Sequence, residues 1–417
     1  MIGWPTKPLG EVADFERGLT YSKTDEVAQS RNGVLRANNI DLTTKLLDLT
    51  DIRYIADTVQ VPPTKKVRKG SLLICTASGS RSHLGKVALI EDDYDLAFGG
   101  FMGLITAGHA VGSRFLYYLL TSERFQEKLD SLAGGTNINN LKFKDIADFS
   151  IPIPSLEEQR RIVAVLDEAF AAIATATANA EKNLANAREL FVAQRERMLR
   201  IPGAHWKASA LSDLCTIKHG FAFKSEHFCD DAEHTLLTPG NFFEAGGYRD
   251  RGAKQKYYNG PIPKGFVLNG GDLLVAMTEQ AAGLLGSPIL VPATGLYLHN
   301  QRLGLVQPRS GVEWANEFFF HVFNTVHLRD HLHRTGTGQK VRHTSPSKIG
   351  DVVVHFPSTV QEQLAVASQL DDLWSQVEQL SDVYSERLEK LSLLKQSLLH
   401  RAFTGELTDT MPETIAA

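Results

Sequence analysis

The stretch SGSRSHLGKV, residues 78–87, comes nearest in this sequence to a loop that holds a phosphate. A P-loop needs a glycine five positions before the one that precedes its lysine, and a hydroxyl residue after that lysine to hold magnesium. Ser80 and Val87 occupy those two places, so the stretch reads as a polar turn. A second candidate, HVFNTVHLRDHLHR, sets His327 and His331 one helical turn apart and adds His333. The glutamate of HExxH and a third ligand are missing, so this is read as a histidine cluster facing solvent or phosphate, and no metal is expected. Neither G-x-S-x-G nor G-x-G-x-x-G occurs, nor an Asp-Pro-Pro-Tyr or Asn-Pro-Pro-Tyr tetrapeptide. Asp92, Asp93 and Asp95 fit a solvated turn. The chain is therefore expected to catalyse nothing alone and to hold no cofactor; the alternative is a self-contained nuclease or methyltransferase with divergent motifs.

What the sequence does offer is a set of polar loops. They are Ser78, Ser80, Arg81 and His83; Asn137, Asn139, Asn140, Lys142 and Lys144; Glu279, Gln280, Gln301 and Arg302; and Gln339, Lys340, Arg342, His343 and Lys348. Lys and Arg suit phosphates, Arg suits guanine, and Asn or Gln suits adenine, so the set has the chemistry of a reader of double-stranded DNA. Any one of these loops, taken singly, is equally a solvated turn. The set is more informative, because the same repeat positions are polar in both halves of the chain while the residue types differ.

The elements that position those loops are duplicated. Trp4, Leu9, Val12, Gly18 and Tyr21 recur without a gap as Trp206, Leu211, Leu214, Gly220 and Phe223. KGSLLICTA is echoed by GGDLLVAMT, and IPIPSLEEQ by HFPSTVQEQ, so the repeat unit is about half the protein and makes a pseudo-dimer within one chain. Each half mixes short apolar β-rich runs with Gly, Asn and Ser turns and a few short helices, an α+β pattern. Each then enters a helix free of Gly and Pro, from Leu156 to Arg200 and from Val360 to about Phe403. Ser155 is placed to cap the first of these, with Glu158 reaching back.

The two helices carry heptads. Val163, Phe170, Thr177, Leu184, Phe191 and Met198 recur every seventh residue, with Leu166, Ile173, Ala180 and Ala187 between them. The second helix offers Leu370, Val377, Tyr384, Leu391 and Leu398, with Val366, Leu373, Leu380 and Leu394 between. Two matched seams in one chain should pair with each other, and Leu166, Phe170, Ile173, Leu184, Leu370, Trp374, Val377 and Leu391 are the expected interface. The division expected is a first globular domain at 1–153, a helix at 154–200, a second domain at 201–356, a helix at 357–405 and a tail at 406–417. At about 1.5 Å per residue each helix spans roughly 65 Å, long enough to set two groove-reading modules roughly 34 Å or more apart. The repeat also predicts two copies of a partner, one for each half.

Composition agrees with this frame. The chain has 417 residues, 43% hydrophobic and 22% charged, with a formal net charge of −4, which argues against indiscriminate coating of nucleic acid. Cys75, Cys215 and Cys229 form neither a CxxC pair nor a zinc ladder and are expected to be reduced thiols. No signal peptide is evident, no run is expected to approach a membrane span, and a cytoplasmic location is expected.

In their order and duplication, these features resemble the specificity subunit of type I restriction-modification systems. The matching pieces are the starts W...LGEVADFERG and W....LSDLCTIKHG, the glycine loops GGTNINNLKFKDI and GTGQKVRHTSPSKI, the exits IPIPSLEEQ and HFPSTVQEQ, and the closing LLKQSLLHRAFTGEL. The resemblance implies two target-recognition domains, each reading half of a split DNA site, and two helices paired antiparallel. It also implies two methyltransferase subunits docked on those helices and restriction subunits in the full complex. S-adenosylmethionine, ATP and magnesium would belong to those partners. One departure is Asn137, where the family pattern has Gln or Arg, as at Gln339.

Overall fold

The computed structural model describes residues 3–132, 140–201, 203, 205–280 and 282–408. Packing divides the chain into two units, Met1–Ala180 with Ser385–Ala417, and Glu181–Tyr384. Each unit thus contains one half of each long helix, Leu156–Arg200 and Val360–Thr404.

In the first unit, Ala13–Arg17, Met102–Ala107, Leu72–Cys75 and Val87–Leu89 form, in that order, an antiparallel sheet. The second unit repeats it with Cys215–His219, Leu303–Pro308, Leu273–Ala276 and Pro288–Leu290. The central strand of each sheet is apolar throughout because both of its faces are covered. Leu72 and Ile74 pack into a core that includes the long helices, while Leu73 and Cys75 pack into a second core on the other face. Leu273 and Val275, and Leu274 and Ala276, divide the same way.

A smaller sheet flanks each of these. Its order is Glu26–Val27, Arg53–Ile55, Asn32–Leu35, Leu96–Phe98 in the first unit. In the second it is Phe228–Cys229, Tyr257–Tyr258, His234–Leu237, Leu296–His299, Val267–Leu268. Each contains one parallel pair, Asn32–Leu35 with Leu96–Phe98 and His234–Leu237 with Leu296–His299. Gly18 and Gly220 recur because a Cβ there would lie 1.9 Å from the Gly99 carbonyl oxygen and 2.1 Å from that of Asn300.

The start and exit of each half pair with one another: Thr6–Pro8 with Ser150–Pro152, and Trp206–Ala210 with Val353–Pro357. The long helix follows directly. Ser155 Oγ accepts the Glu158 N–H at 3.2 Å, so the expected cap forms, and Thr359 Oγ1 accepts that of Glu362 at 3.3 Å in the second helix. The Glu158 side chain does not reach back as expected; it turns to Arg161 and Thr408.

One turn further in, Gln159 is buried. Its Oε1 accepts the Gly112 N–H at 2.8 Å, and its Nε2 donates to the carbonyls of Ala110 (3.0 Å) and Pro154 (2.9 Å). Gln363 repeats this with the Ala315 N–H (2.8 Å) and the carbonyls of Glu313 (3.0 Å) and Pro357 (3.1 Å). Gly112 and Ala315 are the N-cap residues of the short helices Ser113–Leu120 and Asn316–Phe323.

Within each unit the helix halves run antiparallel. In the first, Glu158 meets Thr408, Ile162 and Leu166 share a core with Leu399, Ala402 and Phe403, and Lys395 lies 5.1 Å from the Phe170 ring centroid. In the second, Phe191 packs on Trp374 at 4.9 Å between centroids, and Leu199 shares a core with Ala367 and Leu370. Leu166 and Leu370 are fully buried, and Phe170, Ile173, Leu184, Trp374, Val377 and Leu391 are half-buried. Leu380 and Leu394, read from the sequence as seam positions, are instead 39% and 47% exposed. Ser381 and Lys395, four residues beyond Val377 and Leu391, take the half-buried places, because an alternating three–four spacing selects the inner positions whatever their polarity.

An eighteen-residue window in the first long helix has a mean hydropathy of 1.4, enough by length and composition alone to cross a membrane. This corrects the expectation that no run approaches a span. The helix is rich in alanine, including exposed Ala171, Ala172, Ala174 and Ala178, and alanine raises hydropathy without forming a large apolar face. All three cysteines are free, and burial pushes the thiols of Cys75 and Cys215 up to about 11 and about 12.

The Gln159 and Gln363 contacts predict a large cost for a surface-type substitution. Gln159→Ala leaves buried backbone groups without partners and should lower stability in urea unfolding by about 3 kcal/mol. Gln159→Glu, which keeps the acceptor and loses the donor, should not restore it.

A second prediction concerns His299, which is fully buried, with Nε2 3.0 Å from the Leu303 carbonyl oxygen. Burial pushes its pKa down to about 4. Below about pH 6.5 the unfolded chain therefore takes up a proton that the folded chain refuses, and stability present above that pH is lost as pH falls toward 4. Phe98 stands at the repeat position and is equally buried. His299→Phe should lose about 2 kcal/mol less than the parent between pH 7 and pH 5 in urea unfolding. Equal losses would refute the assignment.

Candidate nucleic-acid interface

The polar loops converge just beyond the central strand of each main sheet. In the first unit the Phe101 carbonyl oxygen accepts three hydrogen bonds: Thr76 N–H at 2.9 Å, Thr76 Oγ1 at 3.0 Å and Ala77 N–H at 3.1 Å. The Thr76 carbonyl accepts the Leu141 N–H at 2.7 Å, and Ala77 bridges to Asn140. In the second unit Met277 donates its N–H to the Arg302 carbonyl and accepts that of Thr344, both at 3.0 Å. Thr278–Glu279 then pairs with Arg342–His343. Three segments distant in sequence are thus joined at one place in each unit. The bonds are almost all main-chain, so side chains there are free to differ.

Among the expected site residues of the first unit, Ser80, Asn140, Lys142 and Lys144 are exposed, and Ser78 and His83 are half-buried. Ser78 Oγ accepts the Ser80 N–H at 3.1 Å and shapes the turn that leads into Arg81–His83. Burial, then the charges of Lys86 and Lys45, hold the His83 pKa below its ordinary value, which keeps the ring neutral near pH 7. The lysine of the P-loop-like stretch, Lys86, points inward to the carbonyls of Ala37 (2.8 Å) and Ile40 (2.5 Å) and is unavailable to a phosphate. Asn137 and Asn139 lie outside the described residues.

In the second unit Gln280, Gln301 and Arg302 are exposed and line an open groove of about 980 Å³. Gln339, Lys340 and His343 are also exposed, on a hairpin closed by the Thr337–His343 bridge. Its turn needs Gly338, at φ +107°, where a Cβ would lie 2.1 Å from the Val341 carbonyl oxygen.

Three expected readers have internal partners. Glu279 is 2% exposed; its Oε2 accepts the N–H groups of Gly283 (3.0 Å), Leu284 (3.0 Å) and Leu285 (2.9 Å), and its Oε1 meets Arg342 at 3.1 Å. Arg342 also donates to the His333 carbonyl, and Lys348 Nζ donates to that of Thr335 at 2.6 Å. Their polar atoms hold the loops together. Among the described residues no group of His, Cys, Asp and Glu is arranged to bind a metal ion.

Residues 1–184 match the family model described as the type I restriction modification DNA specificity domain. The chain is 25% identical to the StySPI specificity subunit of Salmonella potsdam over 97% of its own length and 89% of that protein's. It is also 25% identical to the EcoKI specificity subunit of Escherichia coli strain K12, with the same two coverages. Over nearly its whole length the chain is thus similar to specificity subunits of type I restriction-modification systems. Its fold is that of a chain solved in a study of type I system assembly and conformational transition, with a TM-score of 0.78, 20% identity and coverage of 98% of this chain and 99% of that one. The HsdS subunit from Thermoanaerobacter tengcongensis gives a TM-score of 0.59 at 20% identity, covering 97% and 98%.

The sequence reading passed over three basic residues of this groove. Arg249, Arg251 and Lys256 line the groove with Gln280, Gln301 and Arg302. Arg249 lies 5.8 Å from the centroid of the half-exposed Phe243 ring, and Lys256 lies 5.3 Å from that of Phe228. The signal was present in GYRDRGAKQK, residues 247–256, where four basic residues surround a glycine turn.

Glu279 yields a test that separates holding from reading. Glu279→Ala leaves three N–H groups and Arg342 without their acceptor and should cost about 3 kcal/mol in urea unfolding. Faster hydrogen exchange should appear at residues 283–285. Unchanged exchange there would mean that the carboxylate does not order this loop.

Proposed function

We propose that this chain is the DNA-reading, non-catalytic subunit of a type I restriction-modification complex. Its recognition domains, residues 1–153 and 201–356, each read one half of a split asymmetric site in double-stranded DNA. The helices at 154–200 and 357–405 dock two methyltransferase subunits, and restriction subunits join in the full complex. S-adenosylmethionine, ATP and magnesium are bound by those partners, and the complex works in the cytoplasm.

The observation that carries this reading is the twofold occurrence of one main-chain junction with different side chains on it. Asn140, Lys142 and Lys144 surround it in the first unit; Gln280, Arg302, Gln339 and Lys340 do so in the second. A reader of a symmetric site would gain from identical loops, whereas two different half-sites require different ones. Lys142, Lys144 and Lys340 suit phosphates, and Asn140, Gln280, Gln301, Arg302 and Gln339 suit base edges.

The test is to co-express the chain with an adenine methyltransferase subunit and map methylated adenines across a genome. The expected result is a split asymmetric motif. Exchanging residues 1–153 for those of a relative should change one half of it only. Arg302→Ala should relax a single position in the other half, where a wrong base otherwise costs about 1–3 kcal/mol. A contiguous motif, or one that changes in both halves on exchange, would overturn the reading.

A further inference from the structure

The repeat position of Arg302 in the first unit is Phe101. It lies between the Leu96–Phe98 and Met102–Ala107 strands, and its side chain is 72% exposed. Its neighbours Phe98 and Met102 are completely buried. Single exposed apolar residues are common on protein surfaces and need no special role. Phe101 differs in how it is held. Its carbonyl oxygen accepts all three hydrogen bonds from Thr76 and Ala77, and Ala77 in turn bridges to Asn140, so the ring projects from the junction of the polar loops. Among the described residues the ring makes no aromatic stacking or cation contact. A large apolar group is thus fixed by its backbone in the middle of a hydrogen-bonding surface, at the place where the other unit presents a guanidinium.

Resting on the DNA-reading function above, we propose that Phe101 selects thymine in the first half-site through contact with the 5-methyl group in the major groove. That methyl is the one apolar feature on a base edge there, and it distinguishes a T·A pair from the other three. The second unit's Arg302 suits guanine at the corresponding place. The two repeats therefore use one backbone position for opposite kinds of contact, apolar in one and charged in the other.

The experiment uses the full chain assembled with methyltransferase subunits, and duplexes of its mapped site in which each thymine of the first half-site is replaced in turn by deoxyuridine. One replacement should weaken binding about fourfold, the factor that burial of about one methyl group represents. Phe101→Ala should bind the thymine and deoxyuridine duplexes equally, and Phe101→Leu should keep part of the preference. Reading of the other base pairs of the first half-site should stay intact in both variants, which shows that the first domain is folded. The inference is overturned if no deoxyuridine replacement weakens the parent, if Phe101→Ala stays sensitive to it, or if the first half-site holds no A·T pair. It is also overturned if Phe101→Ala weakens every sequence alike, the mark of a stacking wedge. Absence of any split motif in the parent would be a failure of the broader reading instead, and the methylation map distinguishes the two.

Discussion

The contact on which the rest of each unit depends is the buried glutamine one turn into each long helix. A helix this long is a lever, and a small error in its entry angle would displace its far end by many ångströms. Gln159 and Gln363 fix that angle with one accepted and two donated hydrogen bonds. These reach the N-cap residue of a short helix, a carbonyl two positions before it, and a proline carbonyl at or just beyond the end of the exit strand. An amide is suited to this place because it accepts and donates together, which no apolar or singly charged side chain does. Because these groups are buried, the geometry is enforced by the cost of leaving any of them unpaired.

From that anchor the two units repeat interactions more faithfully than they repeat residues. Tyr118 donates its hydroxyl to Asp167 on the first long helix, and at the same repeat position His321 Nε2 meets Asp371 of the second at 2.8 Å. A phenol and an imidazole share little beyond a ring with a hydrogen-bonding edge, yet each ties a short helix to an aspartate on a long one. The frame thus selects for a contact, and the side chain that makes it is free to change.

Much of this frame was legible in the sequence. The duplicated LLIC-type strands, the Pro-marked exits and the glycine-free helices follow from burial on two faces, from capping and from helix propensity, all of which act over short stretches of chain. The loops were less legible because a polar residue in a turn has two fates that sequence does not separate. Glu279 looks like a base reader and is an internal acceptor for three N–H groups; Lys348 looks like a phosphate contact and holds the Thr335 carbonyl. An exposed apolar residue at a loop junction, such as Phe101, gives no polar signal at all. The seam erred for a related reason: Leu380 and Leu394 are apolar and exposed, whereas Lys395 lies half-buried against Phe170.

These failures share a physical origin that bears on how such a chain can change its target. At each junction the loops are joined chiefly through backbone groups: Thr76 and Ala77 to Phe101, Met277 to Arg302 and Thr344. Every residue other than proline offers the same backbone donor and acceptor, so these bonds survive replacement of the side chain above them. The groups that do hold loops through side chains, Glu279 with Arg342 and the buried glutamines, are constrained by their partners and cannot vary alone. Exposed positions such as Gln280, Arg302 and Lys340 have no such constraint. Variation is therefore channelled to the positions that face outward from the junction. Side chains can change there without disturbing the cores, the caps or the helix entry on which the assembly of the fold rests.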